Sequence, residues 1–126
     1  MWNEDVEKLL AVTDLVLLDH KYATEDGYAR FVGGSLEKTE AFLDELQKRN
    51  IDTWLRRVII PEKSDSEEAT LQLASVARAH SCVKKVELLP FRSLCREKYE
   101  KMGIPFPLAD TPSPSAETMA KLTALL

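Results

Sequence analysis

The sequence has no excess of basic residues and no apolar run long enough to cross a bilayer. Its 126 residues include 17 lysines and arginines against 21 aspartates and glutamates, for a net charge of −4. Nucleic-acid scaffolds carry basic residues in excess to neutralise phosphates, so this balance argues against one. A membrane helix needs about 18 apolar residues in a row, and the acidic start lacks a signal-peptide layout. We therefore expect a cytoplasmic protein with neither a nucleic-acid nor a membrane partner.

Cysteine and histidine are equally scarce. Cys82 and Cys95 are the only two cysteines, too few for a disulfide framework, and free thiols of a reducing compartment are the simple interpretation. His20 and His80, the only histidines, do not lie at the spacings of a metal site. Gly33-Gly34-Ser35 precedes a helix without the spacing of a phosphate-binding loop. These residues predict no metal centre and no catalytic residue in this chain.

Apolar periodicity predicts helices that alternate with three short strands. Strands joined by helical crossovers indicate an α/β fold with a parallel sheet and right-handed connections. The first strand is a nearly continuous apolar run, which predicts that both of its faces are covered. Capping boxes starting at Ser64 or Asp65 open one helix, whose Leu71, Leu73 and Val76 should face inward. The predicted order is helix 3–12, strand 14–19, helix 35–49, strand 53–60, helix 64–80, strand 83–89, an irregular proline-rich stretch to about 114, and helix 115–125.

Charged residues lie at the ends of the first and third strands and within the second strand. Ligands of parallel α/β sheets bind at the carboxyl ends of the strands. Asp19 and Lys21 follow the first strand, where they could bind a zwitterion such as an amino acid or could form a solvated turn. Arg92 follows the third strand and adds positive charge to the same rim, unless it is an ordinary surface arginine.

Arg56 and Arg57 lie inside the second strand, so their side chains must point to opposite faces. A guanidinium is costly to bury unpaired, so at least one of the two should meet a carboxylate. That carboxylate could belong to a ligand, to Glu87 on the neighbouring strand or to a covering helix.

Three segments in order carry a resemblance to a known family. Residues 13–21 read TDLVLLDHK, residues 54–66 read WLRRVIIPEKSDS and residues 83–91 read VKKVELLPF. Together they resemble the glycyl-radical-enzyme activating enzymes of the radical S-adenosylmethionine superfamily, most of all those acting on pyruvate formate-lyase. The resemblance implies that residues 1–126 form a single domain, the C-terminal half of a partial (β/α)6 barrel of the TIM type. About three strands with their covering helices would come from this chain.

The resemblance also implies roles for the rim residues. Lys21 and Arg56 would hold the methionyl carboxylate of S-adenosylmethionine, and Asp19 would contribute to a monovalent-cation and cofactor region. Arg92 stands near the cofactor where relatives often carry histidine, and Glu62 replaces a usual glycine after Pro61. The implied partner is a glycyl radical enzyme, with pyruvate formate-lyase expected.

The family's CxxxCxxC motif, which binds a 4Fe–4S cluster, does not occur in this sequence. A cluster of that kind needs three thiolates. We therefore expect the cluster-binding N-terminal half to be absent and this chain to be inactive alone. The alternative is a non-catalytic module that docks a glycyl radical enzyme or a separate cluster-bearing half. Either way, a first strand without a neighbour would offer an unpaired edge, which predicts a homodimer.

Overall fold

The fold is seen in a computed structural model that describes residues 2–29, 33–93, 96–106, 108 and 110–126. The predicted strands and helices are present in the predicted order, together with two short helices, at residues 25–27 and 96–102, that the periodicity does not predict. The elements are α1 (Glu4–Ala11), β1 (Leu15–Asp19), α2 (Glu25–Gly27), α3 (Leu36–Lys48), β2 (Asp52–Ile59), α4 (Glu67–Ala79), β3 (Val83–Pro90), α5 (Arg96–Met102) and α6 (Ala116–Thr123).

The three strands form one parallel sheet in the order β1-β2-β3. Parallel neighbours need long crossovers, and α3 and α4 provide them. Asp19 of β1 lies opposite Arg56 of β2, which in turn lies opposite Glu87 of β3. The predicted α/β class and the open three-stranded parallel sheet are confirmed.

One face of the sheet carries the core. Leu43 and Leu46 of α3, Leu55 of β2 and Leu73 of α4 are fully buried together there. They are apolar residues at helical or alternate-strand spacing, and each buried leucine contributes roughly 1.5–3 kcal/mol by leaving water.

The other face of the sheet is open, and the prediction that β1 is covered on both faces is wrong. Leu15 and Leu17 are 44% and 50% exposed, and Val58 of β2 is similarly exposed. Side chains alternate along a strand, so a continuous apolar run still sends every second residue to the uncovered face. The prediction that Leu71 faces inward is also wrong. Residues two positions apart on a helix point to nearly opposite sides, so Leu71 is exposed because Leu73 is buried.

The turn before α4 is built differently from either predicted capping box. Ser66 caps the helix by accepting a hydrogen bond from the Ala69 N–H at 3.1 Å. Ser64 instead bonds backbone groups near the end of β2, and the Asp65 carboxylate accepts from the Glu62 N–H at 3.1 Å. Glu62 has a φ of 67°, a left-handed conformation that explains why a glycine would suit this position.

The stretch predicted to be irregular contains α5. That helix buries no side chain, so it has no apolar period for sequence reasoning to detect. Ion pairs one turn apart support it instead, Arg96 with Glu100 and Lys101 with Glu97. Cys95 and Pro107 lie outside the described residues. No helix within the described part of the chain has the length and hydropathy needed to span a membrane.

Candidate functional site

The carboxyl ends of β1 and β2 bring Asp19 and Arg56 together. The two residues are register partners, so their side chains leave the same, open face of the sheet. The Arg56 Nε lies 4.0 Å from the Asp19 Oδ1, with both side chains partly exposed. The carboxylate that Arg56 was expected to meet is therefore that of Asp19. Such a partly solvated pair stabilises the fold only modestly, by roughly 0–1 kcal/mol.

Arg56 keeps one donor unused. Its Nε is buried and has no hydrogen-bond partner among the described residues, since 4.0 Å to Asp19 is too long for a hydrogen bond. Glu87, its register partner on β3, bonds Lys85 instead, with 2.9 Å between Oε1 and Nζ. The alternative of an Arg56–Glu87 ion pair is therefore wrong. A buried guanidinium N–H without an acceptor is costly, and an anionic ligand would satisfy it.

Lys21 and Arg92 lie beyond the ends of β1 and β3, at the same rim, and both are exposed. The Lys21 N–H donates to the Tyr28 hydroxyl at 2.8 Å, which holds the backbone after β1. The Phe91 N–H donates to the Ile59 carbonyl at 3.0 Å, so β3 stays paired up to the residue before Arg92. The four predicted residues thus lie at the carboxyl end of the sheet, and two of them, Asp19 and Arg56, form an ion pair.

Arg57 points to the opposite face from Arg56, as predicted, but it meets no carboxylate there. It is 1% exposed, and its Nε donates to the His20 carbonyl at 2.8 Å. Its Nη1 donates to the Ala69 carbonyl at 2.8 Å, and its Nη2 lies 2.7 Å from the His20 Nδ1. A guanidinium can only donate, so His20 Nδ1 accepts and Nε2 carries the proton. The acceptors of the Arg57 guanidinium are therefore backbone carbonyls and a ring nitrogen, while Arg56 is the arginine that lies beside a carboxylate.

His20 is fully buried and neutral at neutral pH. Burial, and then the charge of Arg57, lower the pKa of His20 to about 4. The nearest carboxylate, Glu40, lies 3.6 Å from its Nε2, beyond hydrogen-bond reach, and Tyr28 packs edge-on to the ring. Burial likewise lowers the pKa of Arg57 to about 10, which leaves it charged at neutral pH. The described residues include no cluster of three potential metal ligands.

His80 behaves in the opposite way. Burial alone would lower its pKa, but hydrogen bonds to the Val76 carbonyl at 2.8 Å and to Asp44 at 2.7 Å outweigh that effect and raise it. Because His80 caps α4 and Asp44 lies on α3, this contact joins the two crossover helices.

Two cavities are lined by described residues, and neither has both the size and the position of a cofactor pocket at the rim. The one beside Arg57, between Thr24 and Ser66, holds ≈ 210 Å³, less than the roughly 300–1,000 Å³ typical of ligand pockets. A larger, open one of ≈ 510 Å³ is lined by Asp14, Arg49 and Asp52, at the amino ends of the strands and away from the charged rim.

Known proteins share this arrangement over part of their length. The sequence is 37% identical over 120 residues to the pyruvate formate-lyase-activating enzyme of Clostridium pasteurianum, covering 95% of this chain and 50% of that protein. It is 34% identical over 121 residues to the pyruvate formate-lyase 1-activating enzyme of Escherichia coli K12, covering 96% and 49%. The chain thus spans about half the length of the curated relatives it matches.

A solved structure shows the same fold. A domain of the pyruvate-formate lyase-activating enzyme from Bacteroides vulgatus superposes with a TM-score of 0.78, covering 99% of this chain and 68% of that one. At 15% identity this likeness concerns the fold alone. No family model matches the sequence.

These sequence matches make the chain a homologue of glycyl-radical-enzyme activating enzymes over about half of their length. Within that family its relatives are the pyruvate formate-lyase-activating enzymes, at 30–37% identity over nearly the whole chain. The resemblance carried by the three sequence segments is confirmed.

The free energy of unfolding should fall as the pH drops from 6.5 towards 4. In that window the unfolded chain protonates His20 and the folded chain does not, so stability is lost as pH falls. A pKa lowered from 6.5 to about 4 corresponds to roughly 3 kcal/mol. Urea unfolding at several pH values measures this, and His20→Gln should remove that part of the slope.

His80→Gln is the control. The pKa of His80 is raised, so its contribution is complete below pH 6.5 and is lost only as the pH rises through the raised value. That variant should keep the acid slope of the wild type. Identical slopes in the wild type and His20→Gln would contradict the buried neutral histidine.

Proposed function

We propose that this chain supplies the carboxylate-binding side of an S-adenosylmethionine site in a glycyl-radical-enzyme activating enzyme. Its residues 1–126 would form one domain, the C-terminal half of the barrel. The observation that carries the proposal is the buried, unsatisfied Arg56 Nε beside Asp19 at the carboxyl rim of the sheet. A ligand carboxylate bound here would accept a hydrogen bond from the Arg56 Nε–H.

The chemistry of the rim suits the methionyl group of the cofactor, which carries both a carboxylate and an ammonium. Arg56 offers a planar fork of donors that matches a carboxylate, and Lys21 adds a second positive charge. Asp19 is the anionic residue of the set, suited to the ammonium or to a monovalent cation. Arg92 adds positive charge at the end of β3, in the region where the resemblance places the rest of the cofactor.

The residues present do not fit a 4Fe–4S cluster. The sequence has two cysteines where the cluster needs three. Cys82 is buried immediately before β3, so it lies at the amino end of the sheet and not at the rim. The cluster supplies the electron that cleaves S-adenosylmethionine, so it must come from a polypeptide segment outside these 126 residues. This chain's share is to bind and orient the cofactor.

The substrate in this proposal is a glycyl radical enzyme, and pyruvate formate-lyase is the candidate. The support is the name of the relatives, which are activating enzymes of pyruvate formate-lyase. In the complete enzyme the cofactor's 5′-deoxyadenosyl radical would abstract hydrogen from a glycine of that substrate. A rim shared by cofactor and substrate fits the ligand position typical of parallel α/β sheets.

A second candidate is a non-catalytic module that docks a separate cluster-bearing half or a glycyl radical enzyme. The open face and the free edge of β1 favour it. Among the described residues β1 pairs with β2 alone, and its Leu15 and Leu17 are exposed. An apolar edge strand is a template for another strand.

Arg56→Gln should weaken binding of S-adenosylmethionine by the chain roughly 10- to 100-fold, the value of a hydrogen bond to a charged group. Isothermal titration calorimetry measures the affinity. Arg78→Gln is the matched control, because it removes an exposed arginine on α4 and should leave the affinity unchanged. Equal affinity of the wild type and Arg56→Gln would contradict the proposed role of Arg56.

The chain alone should not cleave S-adenosylmethionine. Incubation with a strong reductant under anaerobic conditions, after attempted cluster reconstitution, should give no 5′-deoxyadenosine by chromatography. The full-length Escherichia coli relative serves as the positive control. Sustained formation of 5′-deoxyadenosine by this chain would show that the cluster is not needed from elsewhere.

The isolated chain should also form a homodimer through β1 as its concentration rises. Sedimentation velocity measures the dimer, and Leu17→Lys should weaken it by placing a charge on the exposed edge strand. Leu71→Lys is the matched control on α4, since that leucine is similarly exposed away from the sheet edge. A monomer at all concentrations, or equal loss of dimer in both variants, would contradict edge pairing.

A further inference from the structure

The backbone that presents Lys21 lies beyond the end of β1. The strand ends at Asp19, so Lys21 is two residues past the last position that the sheet assigns to β1. Three hydrogen bonds nevertheless hold this segment. The His20 N–H donates to the Arg56 carbonyl at 2.8 Å, the His20 carbonyl accepts from Arg57, and the Lys21 N–H donates to Tyr28.

A buried polar cluster, consisting of His20, Tyr28 and Arg57, supplies two of those three bonds. The three side chains are 0%, 3% and 1% exposed, directly beneath the rim. The Arg57 fork reaches the His20 carbonyl, the His20 ring and the Ala69 carbonyl of α4. One residue of β2 therefore ties the segment after β1 to the helix on the core side of the sheet.

Burying a guanidinium in the core costs free energy. Apolar residues of similar volume often serve stability as well or better, because desolvating a charge costs several kcal/mol. What the guanidinium adds is direction, since its donors are rigidly arranged and each of its three nitrogens meets an acceptor here. The cluster therefore specifies a backbone position more than it stabilises the core.

We infer that Arg57, His20 and Tyr28 are positioning residues that fix the backbone from Asp19 to Lys21 beneath the rim. This inference rests on the proposed function, because that segment presents two of the residues assigned to the cofactor. None of the three side chains touches the ligand in this account. They act through Lys21 and Asp19, holding them at a fixed distance from Arg56.

The test uses NMR amide exchange of the 126-residue chain together with the affinity for S-adenosylmethionine. Arg57→Gln should speed exchange of the Lys21 amide about tenfold or more, with the amides of Leu55 and Val86 remaining protected. The affinity should fall roughly tenfold, as for loss of a charged hydrogen bond. The Nε2–H tautomer signal of the His20 ring in nitrogen spectra should be present in the wild type and altered in this variant. Arg78→Gln should change none of these.

A milder variant keeps the inference falsifiable if Arg57→Gln does not fold. Tyr28→Phe removes only the acceptor of the Lys21 N–H, and should speed exchange at that amide and weaken binding. Tyr99→Phe, whose ring packs on Phe106, is the matched control. Arg57→Lys keeps the charge without the fork and should not restore wild-type exchange.

The outcomes separate this inference from the proposed function. Unchanged Lys21 exchange in the folded Arg57 variants and in Tyr28→Phe would overturn the positioning role, whatever the affinity. Faster exchange at Lys21 in a chain whose wild type binds no S-adenosylmethionine would uphold the positioning role and defeat the cofactor assignment.

Discussion

The register between β1 and β2 is the constraint on which the charged rim depends. It sets Asp19 opposite Arg56 and sends Arg57 to the other face of the sheet. Side chains alternate with a period of two, so a slip of one residue would put Arg56 into the core and Arg57 into solvent. Thr53, Leu55 and Ile59 share the buried face with Arg57, and their apolar contacts hold the register.

Two neighbouring arginines thus have opposite environments and different consequences. Arg57 is buried with an acceptor for its donors, so its charge is matched by carbonyl oxygens and the His20 ring. Arg56 keeps a buried donor without an acceptor, next to a carboxylate too distant to bond it. Unsatisfied buried side-chain atoms are uncommon in folded proteins, and the others among the described residues are the His20 Nε2 and the Gln72 Oε1. In the proposed function, this contrast makes Arg57 the residue that organises the rim and Arg56 the residue that binds a ligand there.

The open face of the sheet fits the same picture. A parallel sheet is normally covered on both faces, yet Leu15, Leu17 and Val58 remain exposed. The chain matches only about half of its relatives' length, and an α/β barrel would enclose this face. In the proposed half-barrel, these exposed leucines and the charged rim would face the part of the site that other residues supply.

Much of this could be predicted from sequence, because local signals decide it. The strands and long helices follow apolar periodicity, and the rim residues follow the rule that parallel strands present ligands at their carboxyl ends. The missed features depend on tertiary contacts. Helix α5 has no buried face. Arg57 donates to backbone carbonyls, which every residue has, so the sequence does not indicate which ones it will meet. The exposure of Leu17 depends on which face lacks cover, which a continuous apolar run does not reveal.

The most direct test of the account is an NMR titration of the 126-residue chain with S-adenosylmethionine. Binding at the rim should shift the Arg56 Nε–H signal downfield and slow its exchange, with amide shifts confined to residues near Asp19, Lys21 and Arg92. Amides at the amino ends of the strands, such as those of Thr13 and Cys82, should stay in place. An unchanged Arg56 Nε–H at saturating cofactor, or shifts centred on the amino ends of the strands, would contradict the assignment of this rim.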